Sequence, residues 1–543
     1  MFSPPPLFPA ECLLSLPDGL RAWIQSLQGC ISQLEAQNAQ LGEQVQQQAK
    51  TIRELRDEIA VLKGQKGRPI IKPSRMDKET DKAGQEGAEG KSRGKSSPSG
   101  QRAKTVQLAV HEKKTLKVAG VPAGSRFLGH REFTVQDLRI CAHNIRFLLE
   151  RWQTPEGKVL TAALPPEFCG LHFGPQVRAF ILYQHHHCHV TQPKLLEQLL
   201  EWDILISAGQ IDALLAFGHV AFSAEKLDLL KTGLEVSPVL TVDDSGARHQ
   251  GKNGYVTVVS SPDFAWFGSA DNKSRIGFLT HLHGGLPTYV VNESALAQMR
   301  LAKLKAEVIE RLQATPFAGG NWTAYLDQLD IHDVRHRRMV TEAAMVAALR
   351  QTGIHPQLAL VSDGAGQFDI LEHGLCWVHT ERLIHKLIPA NDAQRGEQQR
   401  LRGELWAYYP DLKDYRQAPT PEKVKALDAG VEALFGQRTG WVTLDRLLRR
   451  IRRRKKALLL VLTRPEVPLH TNASETDIRD YAKVRKISGG TRGETGRQCR
   501  DTFASLKKTC RKLGVSFWAY LNDRVISAGQ IPPLSDLIRQ RAA

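Results

Sequence analysis

The chain has 543 residues, which is too long for one hydrophobic core, so we expect two to four domains. Its 41% hydrophobic and 24% charged residues are ordinary for a soluble protein, and its eight cysteines show neither a disulfide framework nor zinc half-sites. The most apolar stretch, Ala457 to Leu462, is too short to span a membrane, and no signal-peptide pattern is present. The net charge of +17 favours a polyanionic partner such as nucleic acid.

A heptad pattern runs from Ile24 to Leu62. Its first core position carries Ile or Val except at Asn38, and its second carries leucine except at Gln48. Such a pattern favours a parallel two-stranded coiled coil, in which a lone buried asparagine fixes the register. We therefore predict that residues 1–63 form an N-terminal tail and a dimerising coiled coil; the alternative is one amphipathic helix packed on its own domain.

Residues 64–104 are rich in Gly, Ser, Lys, Arg and Glu, and they predict a disordered basic linker. The region that follows, 105–235, is interpreted as a DNA-binding region. Strands are expected at Val106–Val110 and Phe133–Ile140, whereas Ile145–Trp152 fits either a helix or a strand.

Helices are expected at Gly174–Tyr183, Pro193–Glu201 and Gln210–Phe217. The short break Trp202–Ser207 between the last two suits a helix-turn-helix motif, whose second helix, from Ala208, would enter the major groove of DNA. Helical hairpins are also common in α-rich domains, so a purely structural role is the alternative.

Three short strands and a helix then follow in succession. They are Pro238–Asp243, Gly254–Ser260, Phe264–Ser269 and the helix Ile276–Leu282. This succession is typical of the opening of a ribonuclease-H-like fold.

The first strand of such a fold carries a carboxylate, which here is Asp243 or its neighbour Asp244. A fourth strand, Leu358–Ser362, ends in Asp363. That is the edge at which an open α/β sheet places its ligands.

A third acid, Glu475, begins a helix that presents Arg479 one turn later, at a spacing where the two side chains are neighbours. Three carboxylates on strand and helix edges are the ligands that two Mg²⁺ ions need in phosphoryl transfer to DNA. Each acid alone is weak support, because Asp363 also suits a turn and Glu475 also suits the positive end of a helix.

Six motifs extend over most of Leu240–Leu521. They are Leu240–Tyr255, Val361–Phe368, Leu375–Arg382, Arg464–Arg479, Arg485–Arg492 and Lys507–Gly514. Together they resemble the large transposases of the insertion sequence 66 family, in the subgroup with a long insertion before the second acid. The N-terminal coiled coil agrees with the plan of that family.

Position by position, the resemblance implies a catalytic and metal-binding triad of Asp243, Asp363 and Glu475. It implies two Mg²⁺ ions at this site, with Mn²⁺ as a substitute. It also favours Asp243 over Asp244, because relatives keep an acid at the first of these positions and vary the second.

Cys376 and His379 form the Cys-x-x-His pair that such transposases often carry just after the second acid. One pair cannot complete a tetrahedral zinc site, so we interpret it as a supporting element near the metals, with zinc binding as the alternative. The four-cysteine zinc module of many relatives is not matched here, because Cys141 and Cys169 have no partner cysteine two residues away.

One rival for the second acid is considered. A strand at Thr288–Val291 would end in Asn292 and Glu293 and would also precede a helix. Asn292 is neutral and a poor substitute for a carboxylate that bridges metals, so Asp363 is preferred.

The chain between Asp363 and Glu475 is much longer than a minimal fold of this class needs, which predicts a helical insertion at about 366–465. Its apolar spacing suits helices rather than strands. The residues that define this spacing are Leu371, Leu375, Val378, Leu383, Leu387, Leu401, Leu405 and Tyr409.

The basic helix Arg446–Lys456 of this insertion is expected to bind DNA phosphates beside the acids. A solvated helix surface is the alternative. The candidate DNA-binding residues are Arg450, Arg453, Arg454, Lys486 and Arg492.

We therefore predict a multidomain α/β protein with a ribonuclease-H-like catalytic domain at 236–543, preceded by the coiled coil and a helical DNA-binding region. The expected activity is that of a DNA transposase: metal-dependent cleavage at element ends, then strand transfer into target DNA. A related nuclease without strand joining and a non-enzymatic DNA-binding dimer are the alternatives. Expected partners are double-stranded DNA, further copies of this chain and accessory proteins of the same element, at the nucleoid in a bacterial cytoplasm and not at a membrane.

Overall fold

The computed structural model describes residues 172–543 without a break. Before them it describes 110–117, 125–128, 130–135 and 137–168, together with single or few positions between 17 and 40. The chain divides into two compact units, residues 1–135 and residues 136–543. No helix in these described parts is long and apolar enough to cross a membrane.

Most of the predicted coiled coil Ile24–Leu62, and the whole predicted linker 64–104, lie outside the described residues. The positions that are described between 19 and 40 are helical and exposed. The strand predicted at Val106–Val110 also falls almost entirely outside them, since only Val110 is described.

The strand predicted at Phe133–Ile140 is wrong: the described residues of this segment form no strand. Its large side chains are exposed, by 88% at Phe133 and 79% at Leu138, so neither a partner strand nor a core covers them. A strand does begin at the end of Ile145–Trp152. Strand β1 (Arg151–Gln153) pairs antiparallel with β2 (Val159–Thr161) in a short hairpin.

Between residues 172 and 238 four α-helices precede the main sheet, and the first three match the predicted segments with shifted bounds. They are α1 (Pro175–His186), α2 (Gln192–Glu201), α3 (Ala208–Leu215) and α4 (His219–Val236). Helix α3 begins at a capping box, in which the side chains of Ser207 and Gln210 each accept from the other's backbone N–H. It buries Ile211 and Leu214 and carries no lysine or arginine, so its predicted entry into the major groove stays a prediction without electrostatic support.

The main sheet has five strands in the order β5-β4-β3-β6-β7. Their bounds are β3 (Val239–His249), β4 (Lys252–Ser260), β5 (Ala265–Ala270), β6 (Ala359–Ser362) and β7 (Glu372–Leu375). Strands β3, β4 and β5 pair antiparallel, whereas β6 and β7 run parallel to β3. Strands β3, β4, β5 and β6 confirm the four predicted segments.

Strand β3 continues past Asp243 because its second half pairs with β4 in a long hairpin. The loop of this hairpin is Gln250-Gly251, and both residues have positive φ, 50° and 75°. Two positive φ angles are what a tight two-residue hairpin loop requires, and glycine adopts them without strain.

Helices α5 to α9 separate β5 from β6. They are α5 (Arg275–Leu282), α6 (Glu293–Leu301), α7 (Ala306–Ala314), α8 (Trp322–Gln328) and α9 (Val334–Gln351). The helix predicted at Ile276–Leu282 is confirmed as α5. The strand considered at Thr288–Val291 is wrong, because that segment forms no strand and the backbone N–H of Val290 donates to the carbonyl of Ala344 in α9.

Helices also fill the predicted insertion. They are α10 (Trp377–His385), α11 (Asp392–Gln417), α12 (Pro421–Gly436), α13 (Val442–Arg452) and α14 (Lys455–Leu458). The helical interpretation of Leu371 and Leu375 is wrong, because Leu375 lies on β7 and Leu371 directly precedes it. Strand β7 is buried over its last three residues, as a strand covered on both faces must be.

The chain ends in four helices. They are α15 (Asn472–Ser488), α16 (Glu494–Leu513), α17 (Phe517–Ile526) and α18 (Leu534–Ala542). Helix α15 packs across β3 and β4, where Ile478 and Tyr481 cover Val256, Val258 and Phe267. This packing fixes the start of α15 against the central strand of the sheet.

The described residues form five hydrophobic clusters, and the three largest of them hold most of these layers together. The largest joins α1 to α4 to the sheet and to α5, α16 and α17, with Leu182, Val242 and Phe503 at its centre. Helices α6 to α9 have a core of their own, and so do α10 to α14. Each set of inserted helices is therefore a packed structure rather than a long loop.

Candidate active site

The register of the central strands brings the first two acids to one edge of the sheet. Thr241 on β3 pairs with Val361 on β6, and Asp243 and Asp363 each follow two residues later. Parallel neighbouring strands lie about 4.8 Å apart, and side chains alternate between the faces. Because β6 ends at Ser362, the edge of β3 beside Asp243 is left open toward Asp363.

The third acid arrives from the helix that crosses this edge. Glu475 lies in the first turn of α15, where its backbone N–H donates to the carbonyl of Thr471 at 3.0 Å. Its side chain is only 18% exposed. The packing of α15 on β3 thus directs Glu475 to the same edge as the other two acids.

The electrostatics of Asp243 report this convergence. The pKa of Asp243 is raised to about 7, mainly by burial; a hydrogen bond opposes this rise, and the negative charges of Asp363 and Glu475 add to it. That hydrogen bond comes from the backbone N–H of Asp244, which donates to Oδ1 of Asp243 at 2.8 Å. A buried carboxylate that is repelled by two others is a group whose charge a bound cation would stabilise.

The neighbouring acid Asp244 is committed to other partners. It forms an ion pair with Lys273, and Nε2 of Gln367 donates to its Oδ2 at 2.6 Å. Alternation along β3 puts Asp244 on the opposite face from Asp243. The structure therefore favours Asp243 as the member of this pair that faces Asp363.

The Cys-x-x-His pair connects the second acid to the third. Cys376 is buried, its backbone N–H donates to the carbonyl of Ser362 at 2.9 Å, and its thiol contacts Thr471. Burial raises the pKa of this thiol. Nε2 of His379 lies 3.5 Å from Oε1 of Glu475. The pair therefore ties the end of β6 to the segment that carries Glu475.

Arg382 is a site residue that the sequence did not predict. Its Nη1 donates to both carboxylate oxygens of Glu475, at 3.1 and 3.3 Å, and lies 3.2 Å from Nε2 of His379. The predicted neighbour Arg479 is exposed and forms no ion pair with any described residue. The signal that could have found Arg382 is its place three residues after His379, on the same face of α10.

The three acids are oxygen ligands of the kind that Mg²⁺ prefers. As the side chains lie, no group of three or more His, Cys, Asp or Glu among the described residues is arranged around one metal ion. Instead Asp363 accepts from the backbone N–H of Ala365 at 2.9 Å, and Glu475 is paired with Arg382. The oxygen ligands and the raised pKa of Asp243 nevertheless fit a divalent cation.

The candidate DNA-binding residues fall into two groups. Arg450 and Arg453 are exposed at the end of α13, and Lys486 and Arg492 are exposed at and after the end of α15. Arg454 is different, because it is half-buried and its Nη1 donates to the carbonyl of Gly364 at 2.9 Å.

Two other residues of the basic segment are paired with acids of α12. Arg452 contacts Glu432, and Lys455 contacts Asp428 and Glu432. The exposed positive charge that remains is smaller than the sequence suggests. It is concentrated on the face that carries Arg449, Arg450 and Arg453.

Comparisons with known proteins bear on this site. Residues 339–499 match the sequence model of a family described as "Transposase IS66 family". The chain belongs to this transposase family. The matched segment contains Asp363, Glu475 and the Cys-x-x-His pair, whereas Asp243 lies before it.

A curated relative extends the match over more of the chain. The chain is 39% identical over 321 residues to "Uncharacterized protein y4jO" of Sinorhizobium fredii (strain NBRC 101917 / NGR234). The alignment covers 58% of this chain and 100% of that protein. Family membership makes DNA the expected substrate of this chain.

Proposed function

We propose that this chain is a DNA transposase in which Asp243, Asp363 and Glu475 are the catalytic acids. The observation that supports the proposal is the register of β3 with β6, which puts Asp243 and Asp363 at one edge of the sheet, together with the effect of the charges of Asp363 and Glu475 on Asp243. The strand order β5-β4-β3-β6-β7, with β4 antiparallel to its neighbours, supports a ribonuclease-H-like core. The same acids appear in the order strand, strand, helix that this fold uses.

The reaction would have two phosphoryl transfers. In the first, water attacks the phosphodiester bond at an element end, and the departing strand keeps a free 3′-hydroxyl. In the second, that hydroxyl attacks a phosphodiester bond of target DNA, which releases a 3′-hydroxyl of the target strand. Each step breaks one P–O bond and forms one, so the transfer needs no oxidant and no nucleotide cofactor.

The three acids would hold two Mg²⁺ ions, with Mn²⁺ as a substitute, and the ions would activate the attacking oxygen and stabilise the leaving oxygen. Other residues of the chain would position the three acids for this chemistry. The packing of α15 on β3 holds Glu475 near Asp243, and the hydrogen bond from Ala365 orients Asp363. Arg382 adds a positive charge beside Glu475, at a place where DNA phosphates would approach.

The DNA itself would be held mainly by exposed basic side chains. Arg450 and Arg453 lie at the end of α13 among the inserted helices, Lys486 lies in the last turn of α15, and Arg492 follows that helix. Contacts of this kind neutralise phosphates without reading the base sequence. A dimer or higher oligomer, with accessory proteins of the same element, would bring two element ends together.

The proposal is tested by replacing Asp363 with Asn and measuring cleavage and strand transfer on element-end DNA in Mg²⁺. We expect the rate of cleavage to fall by at least about 10³-fold, because several kcal/mol of transition-state stabilisation depend on the carboxylate. DNA affinity should stay nearly unchanged, because the basic surface supplies most of it.

Asp392→Asn is the matched control, because its side chain is 94% exposed at the start of α11. It should cut at the normal rate. An Asp363→Asn protein that still cuts would contradict the assignment. Cleavage without strand joining in the unchanged chain would favour a nuclease, and DNA binding without cleavage would favour the non-enzymatic alternative.

A further inference from the structure

The turn that carries the second acid is held by side chains from three distant parts of the chain. Nη1 of Arg454 donates to the carbonyl of Gly364, and Nη2 of Arg275 donates to the carbonyl of Gly366, both at 2.9 Å. Gln367 is bonded to Asp244 on β3. A loop at a strand end is thus fixed from the inserted helices as well as from the sheet.

The contact with Arg454 acts on the peptide unit that orients Asp363. The carbonyl of Gly364 and the N–H of Ala365 belong to one planar peptide group. Arg454 donates to the oxygen of this peptide group. The N–H of the same group, which belongs to Ala365, donates to Oδ1 of Asp363 at 2.9 Å. When Arg454 fixes the plane of the peptide, it also fixes the direction of the hydrogen bond to the carboxylate.

The contact between Arg454 and the turn depends on the absence of a side chain at Gly364. Gly364 has φ of 93°, which only glycine adopts without strain. A Cβ at this position would lie 2.8 Å from Nη1 of Arg454. The guanidinium of Arg454 therefore occupies the space that a side chain at position 364 would take.

Arg454 directly follows Arg453 in sequence, yet the two side chains have different surroundings. Arg453 is exposed and has no hydrogen-bond or ion-pair partner among the residues that the structure describes. Arg454 is half-buried and reaches from the end of the basic helix α13 to the turn after β6. Arg453 and Arg454 therefore have the same charge and size but different surroundings, so replacing each in turn compares the two surroundings.

We propose that Arg454 is a positioning residue that links the DNA-binding helix to the second acid, an inference that rests on the proposed function. DNA bound along α13 would hold the helix end in place, and Arg454 passes that constraint to the Gly364–Ala365 peptide. Arg453, in contrast, contributes to DNA affinity alone. The expectation that Arg454 binds DNA phosphates stays a prediction, and the positioning role is the alternative to it.

The matched variants Arg454→Gln and Arg453→Gln test the link. With saturating DNA, Arg454→Gln should cut about 10- to 100-fold more slowly, since a misplaced catalytic group costs about this much. Its DNA affinity should change little. Arg453→Gln should bind DNA more weakly, with a salt slope reduced by about one. Arg400→Gln is the control for the rate and should cut normally, because the guanidinium of Arg400 pairs with Glu397 and Glu404 on its own helix. Arg454→Lys keeps one donor and should restore part of the rate.

A second measurement does not depend on cleavage. Hydrogen–deuterium exchange of the peptide that contains 363–367, in the protein without DNA, should be about tenfold faster in Arg454→Gln and unchanged in Arg453→Gln. If Arg454→Gln cuts as fast as Arg400→Gln and exchanges no faster than Arg453→Gln, the positioning role is overturned. If the unchanged chain cuts no DNA, the proposed function fails, while the exchange experiment still decides whether Arg454 fixes the turn.

Discussion

Glu475 is paired with the guanidinium of Arg382, and a divalent metal ion at this site would need the same carboxylate. Arg382 donates to both oxygens of Glu475, and the two side chains are 31% and 18% exposed. Those oxygens are the ones a divalent ion would use. A metal that binds in the absence of DNA must therefore compete with a guanidinium for the same carboxylate.

Replacing Arg382 with Gln should strengthen the binding of Mn²⁺ to the DNA-free protein. We expect roughly a fivefold lower Kd, because a partly exposed ion pair is worth about 1 kcal/mol. Isothermal titration calorimetry with Mn²⁺ measures this directly. Arg400→Gln is the control, because the partners of Arg400 in the described part of the chain are Glu397, Glu404 and Gln437, away from the three acids. Weaker or unchanged binding in Arg382→Gln would contradict the competition.

The sequence led to three candidate acids, which stay a prediction, but it did not lead to the side chains that contact them. The order of strand and helix, together with the motifs, led to Asp243, Asp363 and Glu475, and the register of β3 with β6 supports their convergence. Arg382 escaped prediction because its partner Glu475 is 93 positions away. A run of basic residues likewise cannot reveal that Arg454 turns inward while Arg453 faces solvent.

At the scale of elements, α15 is held in place by charges as well as by its apolar face. Asp480 on α15 lies 2.5 Å from Nζ of the buried Lys508 on α16. Burial by itself raises the pKa of Asp480, but the hydrogen bond and charge of Lys508, with those of Lys483, outweigh it and lower the pKa to about 2. The helix that carries Glu475 is thus anchored by an ionised carboxylate.

This anchor predicts a pH-dependent stability. The pKa of Asp480 is lower in the folded than in the unfolded chain, so its contribution is present above about pH 4 and is lost as the pH falls toward 2. Asp480→Asn should lower the free energy of unfolding by about 1–2 kcal/mol at pH 7. Urea unfolding between pH 7 and 3 should show this difference as constant down to about pH 4.5 and smaller below it.

Asp536→Asn is a suitable control, because Asp536 is half exposed and pairs with Arg539 on its own helix. Its stability should follow that of the unchanged chain at every pH. A difference for Asp480→Asn that persists unchanged at pH 3 would mean that its cost is steric rather than electrostatic.

Prediction of strands succeeded for β3 to β6 and failed for β7 and for Phe133–Ile140. The segments that became β3, β4 and β5 each had enough residues to show their type. Strand β7 has four residues, and the last three are buried, so Leu371 and Leu375 were mistaken for a helical pattern. Phe133–Ile140 has strand-forming residues but no described neighbour to pair with, and local preference alone does not form a strand.

At the scale of the whole molecule, the heptad segment predicts self-association. Deleting residues 20–63 should convert a dimer or higher oligomer into a smaller species, because the apolar seam would have lost its partner. Light scattering coupled to size exclusion measures the mass. Deleting 70–100 from the predicted linker is the control and should leave the oligomer intact. An unchanged mass after removal of 20–63 would mean that the helix packs within its own chain.

Strand β6 leaves the ribosome long after β3, because 120 positions (359 − 239) separate Val239 from its partner Ala359. At about 5–20 residues per second, this delay lasts roughly 6–24 s. During that time the growing chain carries β3 with one unpaired edge, which is a site for mispairing. Helices α6 to α9 emerge in the interval and have a core of their own, so they can fold before β6 is available to pair with β3. The part of β3 that pairs with β6 is covered late in synthesis and Glu475 arrives later still, so the three proposed acids can come together only after residue 475 has been made.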